Sequence, residues 1–175
     1  MPLYKATAAT LTNLVAADNN TTGFIKDTEG WRVIAASGVA VPLTGTLTET
    51  TLATVTVPAG AMGANGLIRV SSVWSYTNSA NTKIVRARFG GTAVASGSYT
   101  TTASAPLNFI TSNRASQSSQ ITGLSNGLFS ATANAPNTSA INTANAADIV
   151  LQGTLANVGE TITLESYLVE LKYGA

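Results

Sequence analysis

Cysteine and histidine are both absent from this chain of 175 residues, and charged side chains make up only 10% of it. Without cysteine there is no disulfide, no thiolate nucleophile and no sulfur ligand for a metal. Without histidine the ordinary proton shuttle near neutral pH, also the commonest metal ligand, is missing. No apolar run approaches the ~18–20 residues of a membrane-spanning helix. The opening Met1-Pro2-Leu3-Tyr4-Lys5 lacks the basic stretch and apolar core of a secretory signal, so none is expected. Charge of one sign is lacking as well: nine basic and eight acidic residues leave a formal net charge of +1. A clustered basic surface for nucleic acid is therefore not expected.

What is present is Thr, Ser, Asn, Ala and Gly, threaded with short β-type apolar runs. The mean hydropathy is positive because Thr, Ser and Ala stand where Lys and Glu usually do. Such a chain suits building and adhesion better than catalysis. Near-zero net charge also favours association over repulsion. The length fits one domain with a short arm, and a domain of this size buries roughly 70% of its unfolded surface without staples.

Residues 1–29 differ from the rest. Leu11, Leu14 and Val15 have helical spacing, but Thr7, Thr10 and Thr12 weaken it, and Asp18-Asn19-Asn20-Thr21-Thr22-Gly23 is a turn cluster. Two readings stand: an arm lying on a neighbouring subunit, or an edge strand folded back on its own domain. The rest, 30–175, reads as β. Trp31 to Ala35 is a short strand, after which Pro42 and Gly45 break the chain. Leu52 to Val57 alternates Val55 and Val57 with Thr54 and Thr56, a half-buried strand. After Asn65-Gly66, Ile68, Val70, Trp74 and Tyr76 share one face, with Arg69, Ser71, Val73 and Ser75 on the other. In Lys83 to Phe89, Val85, Ala87 and Phe89 alternate with Ile84, Arg86 and Arg88. These last two runs read as a hairpin.

Shorter strands are expected at Leu107 to Ile110, Gln120 to Leu124, Leu128 to Ala131 and Ile149 to Gln152. Ala131 to Ala146 reads as an exposed loop or surface strand pair. The final strand, Glu160 to Tyr173, changes phase between Ile162/Leu164 and Tyr167/Val169/Leu171, which predicts a β-bulge near Glu165-Ser166. Eight to ten short strands with regular turn signals imply an all-β fold, a β-sandwich or jelly roll.

Several motifs resolve to bland readings. Gly123-Leu124-Ser125-Asn126-Gly127 matches a nucleophile elbow, but no histidine exists to serve it, so it reads as a turn. The eight acids form no aromatic-lined pair suited to glycoside hydrolysis. Asp18-Asn19-Asn20 offers oxygens but not the spacing of a calcium loop. Asn19, Asn20 and Asn137 fit the glycosylation pattern as chance matches. Trp31, Trp74, Tyr76, Phe89, Phe109 and Phe129 read as core anchors. One charge group has positional logic: Arg69, Lys83, Arg86 and Arg88 in the expected hairpin, with Glu160, Glu165 and Glu170 on the last strand. It reads either as pairing within one molecule or as a basic face meeting the acidic strand of another subunit.

Thr50 to Gly60, Asn65 to Val70, Trp74 to Thr77, Lys83 to Thr92 and Glu165 to Leu171 resemble small β-rich virion proteins of tailed bacteriophages. The similarity lies in the style and order of the strands over roughly residues 45–175. It implies a jelly-roll or sandwich module forming homotrimers, as a capsid decoration (cement) protein or head fibre, or as a tail-fibre or host-surface recognition module. It implies no catalytic residue and no cofactor. The implied partners are copies of itself and the major capsid protein or other virion proteins, with neither membrane nor nucleic acid. The implied place is the virion, assembled in the host cytoplasm.

Overall fold

Short β-branched and aromatic runs, each apolar on alternate residues, become strands that bury one face. The computed structural model describes residues 30–123 and 136–175. Among them lie eleven strands and no helix: β1 (Arg32–Ser37), β2 (Val41–Thr44), β3 (Thr50–Val57), β4 (Leu67–Tyr76), β5 (Lys83–Phe89), β6 (Thr92–Tyr99), β7 (Ser104–Asn113), β8 (Gln120–Gly123), β9 (Asn137–Ser139), β10 (Ala147–Leu155) and β11 (Thr161–Lys172). The readings of residues 1–29, of Leu128 to Ala131 and Phe129, and of the turn beyond Gly123 fall outside the described residues.

The strands form two antiparallel sheets of a β-sandwich. One has seven strands in the order β1-β11-β4-β7-β8-β9, with β2 also on β11; the other has four, β3-β10-β5-β6. The core lies between them. Ile68, Val70, Trp74, Leu107, Phe109, Ile162, Leu164, Val169 and Leu171 from the larger sheet meet Val55, Val57, Val85, Ala87, Phe89, Ile149 and Leu151 from the smaller. Each fully buried large apolar side chain contributes roughly 1.5–3 kcal/mol. Trp74 satisfies its indole N–H within this core by donating to Ser72 Oγ at 2.9 Å, and Ser72 donates onward to Leu107 O at 2.7 Å.

Pairing is nested. β5 pairs β6, β4 pairs β7, β3 pairs β10 and β2 pairs β11. The innermost turn, Gly90-Gly91, has φ of 51° and 81°. Positive φ at both central residues is what a tight type I′ hairpin demands.

The phase change in the last strand is a bulge at Glu165, where the register against β4 shifts between Leu164 and Ser166. On the other side, β2 pairs with Thr161 to Leu164 and β1 with Tyr167 to Leu171. The bulge therefore sits where the neighbour of β11 changes. It keeps Ile162, Leu164, Val169 and Leu171 all facing inward.

Three expectations are corrected. β4 and β5 are not a hairpin: they lie in opposite sheets, and residues 77–82 carry the chain across. Alternation says only that a face is buried, and each face here is covered by the other strand's sheet. Pro42 does not break the chain but lies in β2, opposite Thr163. β2 is an edge strand, where a missing backbone N–H is tolerated. In the described part of the Ala131 to Ala146 stretch, β9 is largely exposed as expected, yet Ile141 and Thr143 are buried.

The bulge makes neighbouring positions unequal. Leu168, on the outer face beside Ser71 and Ala36, should accept Leu168→Asp at a cost of about 1 kcal/mol or less. Val169→Asp would place a charge in the core and should cost more than about 3 kcal/mol. Urea unfolding of the two variants measures the difference.

Candidate functional site

A strand places successive side chains on opposite faces, so the charged residues singled out by the sequence divide among three environments. Arg69 lies on the outer face of the larger sheet, directly opposite Glu170 on β11. Its Nε donates to Glu170 Oε2 at 2.7 Å, Nη2 lies 2.6 Å from the same oxygen, and the guanidinium sits 4.5 Å from the Trp31 ring centre. Trp31 is thus a half-buried platform for a cation rather than a core anchor. Trp74, Tyr76, Phe89 and Phe109 are buried as expected.

Arg86 and Arg88 share the outer face of the smaller sheet. Both reach across β10 to Glu49, which precedes β3: Arg86 Nη1 bonds one carboxylate oxygen, and Arg88 Nη2 the other at 2.9 Å. Arg88 is held further by Gln152 Oε1 at 2.8 Å and Gly91 O at 3.2 Å. Glu49 escaped the sequence reading because it lies in a Thr-rich run two strands away from β5. Nothing local marks it. Arg69 does not join Arg86 and Arg88, since the sandwich stands between them.

Lys83 lies inside. It has the same parity as Val85, Ala87 and Phe89, and it is fully buried. Its Nζ donates to Ser79 Oγ at 2.9 Å and Ser79 O at 3.3 Å, and lies 3.9 Å from Glu160 Oε2. Glu160, only 4% exposed, accepts at Oε1 from the Ser79 hydroxyl and from Asn81 Nδ2 at 3.0 Å. The Ser79 and Asn81 bonds, with the Lys83 charge, hold its carboxyl below the ordinary 4.5 against the opposing effect of burial. Tyr76 and Tyr99, at the same end of the sandwich, stack with ring centres 4.9 Å apart. The Tyr76 hydroxyl is buried without a partner among the described residues, and burial, then Tyr99, pushes its titration upward. Glu165, the bulge residue, accepts from the Ser75 hydroxyl.

Each of the seven charged candidates therefore has a partner within its own chain. Arg69 meets Glu170, Lys83 meets Glu160, Arg86 and Arg88 meet Glu49, and Glu165 meets Ser75. Pairing within one molecule is thus present at Arg69–Glu170, Lys83–Glu160 and Arg86/Arg88–Glu49.

The opposite end holds a polar network that composition alone gave no reason to expect. Buried Gln120 donates to Asn113 Oδ1 at 2.9 Å and Ile141 O at 3.0 Å, and accepts from Ile141 N at 2.7 Å. Asn113 donates to Gly63 O at 2.6 Å and Thr143 Oγ1 at 2.9 Å. These side chains fasten the loops around β7 and β8 to the segment that enters β10. No group of His, Cys, Asp or Glu suited to a metal occurs among the described residues. No protein-family model matches the chain, and no curated protein matches it in sequence.

Two outcomes follow from the buried end. Because the folded carboxyl of Glu160 titrates lower than an unfolded one, its contribution is complete above pH 4.5 and is lost as pH falls through the folded value. Glu160→Gln should be less stable than the parent at pH 7, with the gap closing in acid; thermal melts from pH 7 to 3 measure this. Tyr76→Phe removes a hydroxyl buried without a partner, so it should be neutral or stabilising by up to about 1 kcal/mol in chemical denaturation.

Proposed function

We propose that this chain is a non-enzymatic virion structural protein of the tailed-bacteriophage kind, an oligomeric capsid decoration protein that binds and stabilises the shell. The observation that carries the reading is the strand order. With β1 and the β8–β9 pair set aside, β2-β11-β4-β7 faces β3-β10-β5-β6 in four nested pairs. That order supports a jelly roll, an architecture found in viral capsid and lectin domains. The argument is one of fold, and fold by itself does not fix function. It is joined by the resemblance of the strands at Thr50 to Gly60, Lys83 to Thr92 and Glu165 to Leu171 to small phage virion proteins.

The mechanism is mechanical. Two sheets locked through a largely apolar core make a rigid body. On its outer faces Arg69 is paired with Glu170, and Arg86 and Arg88 share Glu49, and with a formal net charge of only +1 copies of the chain meet little net repulsion. Copies arranged as a homotrimer would engage several shell subunits at once, and weak contacts then add through effective concentration.

Sedimentation of the full chain should give three times its 17.8 kDa mass. Shells carrying it should burst at a higher temperature, or withstand lower salt, than shells stripped of it. A monomer at every concentration, or equal stability of stripped and decorated shells, would overturn the reading.

A further inference from the structure

Beside the β5–β6 turn lies an open depression of about 620 Å3, bounded by residues 90–92, by residues 140–142 and 145–147, and by the outward-facing Asp148 and Val150. Its polar groups are held in place but not used up. Asp148 Oδ1 accepts from the Thr56 hydroxyl at 2.6 Å, and the Asp148 carbonyl accepts from Gly90 N at 2.9 Å. The second carboxylate oxygen has no donor among the described residues. Asn142 Oδ1 accepts from Ala144 N at 3.1 Å, which fixes the amide and leaves its NH2 free of any acceptor there. Gly91, at φ 81°, has nothing within 4 Å of where a Cβ would stand, so its backbone is open to approach. Val150 and the Ile141 side chain, which packs against Gly90, supply the apolar part of the lining.

The electrostatics select the ligand. Arg88, at the Gly91 side, is engaged by Gln152 and Gly91 O and shares Glu49 with Arg86, and it is not among the residues that line the depression. Asp148 is the one charged side chain among the residues that line the depression, which disfavours an anion there. A carboxylate oxygen wanting a donor, an amide N–H wanting an acceptor and an apolar wall match adjacent hydroxyls on a ring with one apolar face. We propose that this depression is a binding subsite for one neutral hexopyranose unit, with Asp148 accepting from one hydroxyl and Asn142 donating to its neighbour. No aromatic side chain lines it, so a single sugar binds weakly, with Kd in the millimolar range, on the order of −4 kcal/mol.

Saturation-transfer NMR on the full chain, with glucose, galactose, mannose and N-acetylglucosamine as probes and N-acetylneuraminic acid as the anionic control, tests this. At least one neutral sugar should saturate, and the acidic sugar should not. Asp148→Ala, and Ala146→Trp at an exposed lining position, should each weaken binding about tenfold or more with the melting transition retained. If Asp148→Ala fails to fold, Ala146→Trp decides alone. No neutral sugar binding up to roughly 100 mM, preference for the acidic sugar, or binding unchanged in Ala146→Trp overturns the proposal.

Discussion

The contact between two apolar sheet faces is the constraint on which the molecule rests. Neither sheet is stable with Trp74, Phe109 and Leu171, or Phe89, Ile149 and Leu151, open to water. Each covers the other, and that requirement fixes the parity of every long strand. It also explains the Glu165 bulge. β11 is long enough to serve two different neighbours, β2 and then β1, and an extra residue lets it change partner without turning its apolar side outward. The chain has no cysteine for a disulfide, and buried apolar side chains from both sheets close the core.

Once the interior is apolar, a polar group inside it costs free energy unless it is matched. Lys83 sits at an inward position of β5 and is bearable only because Ser79 and Glu160 meet it. Gln120, Asn113 and Thr143 do the same work at the other end without charge. Hydrophobic packing is non-directional, whereas a misplaced Lys83 or Gln120 would be buried without partners. Both networks therefore tie loops that packing alone leaves unspecified. Outside, Arg69 pairs with Glu170 across neighbouring strands, and Arg86 and Arg88 share Glu49.

Much of this was legible in the residues. Val55/Val57 against Thr54/Thr56, the inward set of β4 and the inward set of β5 all lie as alternation requires. The change of phase between Leu164 and Tyr167 located the bulge. Illegible were the placing of β4 and β5 in opposite sheets, the ladder position of Pro42 and the stacking of Trp31 on Arg69. Of the charged cluster, the shared face of Arg86 and Arg88 could be read, but Glu49 as their partner could not. Lys83 had the parity of a buried residue, yet its acceptors Ser79 and Glu160 stand on separate loops, and their meeting has no local signature.

The sequence by itself determined that this is a β protein, which face of each strand is apolar, and where β11 changes phase. Those follow from the two-residue pleat and from turn residues, which act over a few positions. Only the tertiary structure decided which strands became neighbours, which acid met which base, and that a Gly-Gly turn and Asp148 should border one depression. Those depend on contacts between segments tens of residues apart, chosen because the two sheets must cover each other as a whole.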